Sequence, residues 1–66
     1  MIKLEDFLEE ITDMSIIKHR YSGKNGSFQL HLMLGGTFKI KSGGKVILET
    51  DDAEEIVDKF NELTLN

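Results

Sequence analysis

The chain has 66 residues, neither cysteine nor proline, and a formal net charge of −4 from twelve acidic residues against eight lysines and arginines. A chain this short makes one domain and buries only roughly 60% of the surface its unfolded form exposes, and without cysteine it has neither a disulfide framework nor a thiolate metal site. No apolar run approaches the ~20 residues that span a bilayer, and the acidic opening is unlike a leader peptide, so the expectation is a cytoplasmic protein with no membrane contact.

In chain order, Leu4, Phe7, Leu8 and Ile11 follow the i, i+3, i+4, i+7 spacing of one helical stripe and predict a helix over 3–13. Its other face carries Glu5, Asp6, Glu9, Glu10 and Asp13; the early acids suit the helix dipole and Asp13 does not. Four short runs follow, separated by Asn25-Gly26, Gly35-Gly36 and Gly43-Gly44, each a turn signal. They predict a four-stranded antiparallel meander. A two-residue Asn25-Gly26 turn sets Tyr21 opposite Leu30, His19 opposite Leu32 and Ile17 opposite Leu34. A three-residue loop over 35–37 sets Leu34 opposite Phe38, and another over 42–44 sets Ile40 opposite Val46 and Phe38 opposite Leu48. These registers agree on one apolar face. Ala53, Ile56, Val57, Phe60 and Leu63 repeat the helical stripe and predict a second helix over 52–63, with Thr50, Asp51 and Asp52 as candidate caps, Asp51 and Glu54 resembling a capping box, and a Glu55–Lys59 pair. The expected fold is α+β, α-β-β-β-β-α, with both helices on one face of the sheet.

Charge is sorted along the chain. Between Met14 and Leu48 there are six cations and no acids, a local charge of +6, whereas the two ends hold all twelve acids against Lys3 and Lys59, a charge of −10. On the predicted registers the outward sheet face carries Ile16, Lys18, Arg20, Ser22, Gln29, His31, Met33, Lys39, Lys41, Lys45, Ile47 and Glu49. Ile16, Met33 and Ile47 would then form a small apolar centre rimmed by cations, a surface suited to self-association as a homodimer.

No catalytic constellation emerges, and no metal site or cofactor is expected. His19 and His31 are predicted on opposite sheet faces, so they cannot chelate one ion. Ser42-Gly43-Gly44-Lys45 lacks the first glycine and the Ser/Thr of a phosphate loop and leads into a strand. The acidic pairs Asp51-Asp52 and Glu54-Glu55 lack the alternating ligands and glycine of a calcium loop. Phe7, Tyr21, Phe28, Phe38 and Phe60 all fall on the core side, which leaves no ring on the outward sheet to stack a base.

The acidic opening Leu4-Glu5-Asp6-Phe7-Leu8-Glu9-Glu10-Ile11, the compact meander and the closing Asp52-Ala53-Glu54-Glu55-Ile56-Val57-Asp58-Lys59-Phe60 together resemble, in layout, the small acidic anti-CRISPR proteins of phages that block type II CRISPR nucleases. The resemblance implies a phage or mobile-element inhibitor acting as a DNA mimic. Two departures restrict it: Gly35-Gly36-Thr37 carries no acid, and no further acidic helix precedes Asn66. It therefore carries over only to Asp13 and the carboxylates of the second helix.

The leading expectation is a non-enzymatic protein whose carboxylates Glu9, Glu10, Asp13, Asp51, Asp52, Glu54, Glu55 and Asp58 engage a cationic protein partner. The alternative is a weak nucleic-acid-binding module using Lys18, Arg20, His31, Lys39, Lys41 and Lys45.

Overall fold

The computed structural model describes residues 1–13 and 15–65. Its elements run α1 (Leu4–Glu10), β1 (Ile17–Gly23), β2 (Gly26–Leu32), β3 (Phe38–Ser42), β4 (Lys45–Thr50) and α2 (Ala53–Thr64). The strands form one antiparallel sheet in the order β1-β2-β3-β4, as the turn signals predict. Both helices cover one face, giving the expected α+β fold. The core joins Phe28, Leu30, Phe38 and Ile40 of the sheet to Phe7 of α1 and Ile56, Val57 and Phe60 of α2. Each such side chain contributes roughly 1.5–3 kcal/mol on burial.

α1 stops three residues short of the predicted end. Thr12 and Asp13 donate i→i+3 bonds to Glu9 O and Glu10 O, and the Thr12 hydroxyl also takes Glu9 O at 2.8 Å, which tightens and ends the last turn. Asp13 then accepts from Ser15 N at 2.8 Å, an Asx turn that sends the chain into β1. The helices run antiparallel. Ile2 exchanges two hydrogen bonds with the Asn61 side chain at one end (2.9 and 2.8 Å), and Ile11 and Ala53 line a common groove at the other.

Of the three candidate caps of α2, Asp52 takes the position: its carboxylate accepts from Glu54 N at 2.9 Å and Glu55 N at 3.3 Å, while Thr50 Oγ1 accepts from Asp52 N. The expected Glu55–Lys59 pair does not form; Lys59 reaches Glu62 at 3.6 Å, one turn on.

Every predicted hairpin register is displaced, by shifts that leave most side chains on their predicted face. The first turn is Lys24-Asn25, with Gly23 opposite Gly26, Tyr21 opposite Phe28 and His19 opposite Leu30. Gly26, at φ 116°, takes the positive-φ position just after the turn. The second connection spans 33–37 and sets Leu32 opposite Phe38 and Leu30 opposite Ile40, so Leu34 is 97% exposed at a loop tip. At the third, Gly43 and Gly44 both have positive φ, the condition for a two-residue primed turn, and Ser42 pairs with Lys45. A register shift between Ile40 and Lys41 then sets Ile40 opposite Leu48 in place of the expected Val46, leaving Val46 beside Lys41 on the outward face instead of inward.

Candidate interaction surfaces

A second irregularity, at Lys18, decides the character of the basic face. Register shifts between Ile17 and His19, so Lys18 is a bulged residue, and Ile17 moves to the outward face opposite His31. The Lys18 side chain was expected outward but is only 2% exposed. Its ammonium donates to Glu10 O at 2.9 Å, Asp13 O at 3.3 Å, Asp13 Oδ1 at 2.6 Å and Ser15 Oγ at 3.3 Å. α1 has no basic residue in its last turn, so this strand lysine supplies the cation that its C-terminal carbonyls favour. The Lys18 hydrogen bond, then those from Ser15, hold the Asp13 carboxyl well below the usual carboxylate range.

The outward sheet face keeps Arg20, His31, Lys39 and Lys41. Arg20 lies opposite Gln29 and Gln29 opposite Lys41; His31 lies opposite Lys39, and Lys39 opposite Glu49. Burial, then the positive charges of Lys41, Arg20 and Lys39, lower the His31 pKa, so these cations crowd one ring. The face is partly neutralised, since Lys39 reaches Glu49 at 3.7 Å. Lys45 was also expected outward; paired with Ser42, which alternates with Lys41, it belongs to the opposite face.

The expected apolar centre is not assembled. Ile16 and Met33 line a recess with Ile11 and Leu32 beside the end of α1. Ile47 lies on β4, two strands from β2, next to the Lys41–Val46 pair. His19, on the inward face, is wedged between the rings of Phe7 and Phe60 at 6.2 and 6.1 Å and meets Glu10 Oε2 at 2.5 Å. It is a rim residue of the core, on the face opposite His31.

Three of the eight carboxylates singled out in the sequence therefore have internal tasks: Glu10 on His19, Asp13 on Lys18 and Ser15, and Asp52 as the α2 cap. Glu9, Asp51, Glu54, Glu55 and Asp58 are exposed, and among the described residues their carboxylates make no hydrogen bond or ion pair. Glu5 and Asp6, exposed on the same layer, belong with them; the i, i+4 relation of Glu5 to Glu9 was the signal for it. The molecule thus has an acidic helix layer over a basic sheet face, within extents of 30 × 23 × 18 Å.

At the end where α1 stops and α2 begins, a groove of about 510 Å3 is lined by Ile11 just after α1, by Leu32, Phe38 and Ala53 of β2, β3 and α2, by residues 33–36 of the connecting loop, and by Asp51. Among the described residues, no group of three or more His, Asp or Glu side chains is arranged to hold a metal ion, and no helix is long and apolar enough to cross a membrane. No protein-family model, curated protein or solved structure matches this chain.

Proposed function

We propose that this is a non-enzymatic binding protein whose acidic helix layer docks on the cationic surface of a nucleic-acid-handling protein, where its carboxylates occupy the place of phosphates. The observation that supports this is the set Glu5, Asp6, Glu9, Glu54, Glu55 and Asp58: six exposed carboxylates on one layer without internal partners among the described residues. Dense like charge destabilises a small domain and is relieved when a cationic surface covers it. The layout-level resemblance makes a guide-loaded type II CRISPR nuclease the partner to test first. In a fluorescence anisotropy experiment, the protein should displace labelled duplex from that complex, and Glu54→Lys/Glu55→Lys/Asp58→Lys should abolish displacement while circular dichroism stays unchanged. Equal displacement by the reversed variant would contradict the assignment of the surface.

The clustering of Arg20, Lys39 and Lys41 around His31 favours a second reading, weak nucleic-acid binding by the sheet face. Lys18 and Lys45 no longer belong to that face, so few phosphates are neutralised and the salt dependence should be shallow. Direct titration of labelled DNA at low salt tests it; no binding removes it.

A further inference from the structure

The acidic layer alone leaves unexplained the groove at the end of the molecule. Ile11, Leu32, Met33 and Phe38 line it, and among the described residues no lysine or arginine does and Asp51 is its one charged residue. It is an open groove whose volume of about 510 Å3 falls within the range of ligand pockets. Leu34 at its lip is 97% exposed, on a hairpin tip closed by only two backbone bonds, Met33 N to Thr37 O and Gly36 N to Met33 O. Beyond Asp51 the chain continues with exposed Asp52, Glu54 and Glu55, so the ground beside the groove is negative.

We propose that this groove takes one large apolar side chain from a partner segment whose flanking residues are lysine or arginine, and that it is the anchoring centre of the acidic surface. The inference rests on the reading of the helix layer given above. Exposed ion pairs by themselves contribute little affinity, whereas interfaces draw theirs from a desolvated apolar anchor within a polar rim. Here the side of the rim formed by Asp51 and the start of α2 is acidic. It attracts cationic flanks and rejects acidic ones, which gives the groove selectivity that apolar contact lacks.

The test is an NMR titration of the full isotopically labelled chain with a synthetic peptide carrying one leucine among lysines, beside two control peptides, one with alanine for the leucine and one with glutamates for the lysines. The leucine–lysine peptide should shift Ile11, Met33 and Leu34. The alanine peptide should bind roughly tenfold more weakly or worse, and the glutamate peptide should not bind. Leu34→Ser and Asp51→Asn should each weaken the first peptide by about threefold or more; both residues are exposed and the α2 cap is Asp52, so neither change disturbs the fold. Equal binding of the leucine and alanine peptides, with shifts confined to residues such as Glu54 and Asp58, would overturn the groove and leave the acidic surface standing. Failure of both cationic peptides would overturn both. Equal binding of the glutamate peptide would overturn the cationic flanks. Concentration-dependent shifts at Ile11 and Ile47 without peptide would instead assign the groove to the Lys45-Val46-Ile47 segment of a second copy.

Discussion

Replacing Lys18 by methionine separates an internal strut from a surface cation. The ammonium has four acceptors within 3.3 Å, and the side chain is 2% exposed. Methionine preserves the length and packing of the stem while removing all four bonds and the charge at the C-terminus of α1. Hydrogen bonds to a charged group are worth about 1.5–3 kcal/mol each when buried. The Asp13 and Ser15 acceptors are open to water and recover solvation, so the expected total is nearer a single such bond, about 2–3 kcal/mol. Stabilities of roughly 0.05–0.15 kcal/mol per residue make that a large share of what a chain of 66 residues has. At about 4–8 °C per kcal/mol, the melting temperature should fall by roughly 10–20 °C. Urea unfolding followed by circular dichroism measures the loss, with Lys24→Met in the exposed first turn as the control. A change below about 0.5 kcal/mol, the range of ordinary surface substitutions, would refute the strut and return Lys18 to the basic face.

Asp52→Ala should cost about 1 kcal/mol by loss of the α2 cap, and Asp51→Ala close to nothing; thermal melts of the pair check the cap position directly. Because His31 is held below its ordinary pKa of 6.5, the unfolded chain binds its proton first as pH falls. Stability should therefore decline below about pH 6.5. His31→Gln should flatten that decline in urea melts, and Lys41→Gln should raise the His31 pKa in an NMR titration. Leu30→Ala empties a fully buried site at the sheet centre and should cost about 2–5 kcal/mol, enough to populate unfolded chain at room temperature, whereas Leu34→Ala should leave the melting curve in place.

The layers of this molecule were legible because helices and half-buried strands write their burial into the spacing of apolar residues. Phe7, Ile56, Val57 and Phe60 face Phe28, Leu30, Phe38 and Ile40 as the stripes and alternation require. Registers were harder to read. Leu34 was taken for strand because it is apolar, yet it sits on a loop tip, and the adjacent pair Gly43-Gly44 fits a two-residue turn better than the longer loop assigned to it. The Lys18 bulge left no trace in the spacing of apolar residues, since neither Ile16 nor Ile17 belongs to the core. That bulge removed a cation from the supposed basic face. The acids that serve the fold could not be told from the free ones, since Glu10, Asp13 and Asp52 owe their roles to His19, to Lys18 and Ser15, and to backbone amides whose positions depend on the fold.

The most direct measurement on the acidic surface is isothermal titration of the protein with a lysine dodecamer at low and at physiological salt, for the wild type and for Glu54→Gln/Glu55→Gln/Asp58→Asn. Wild type should bind at low salt and weaken as salt rises, and the neutralised variant should bind more weakly with a shallower salt dependence. Indistinguishable isotherms from the two proteins, or no binding by wild type at low salt, would contradict the assignment of the helix layer as the working surface.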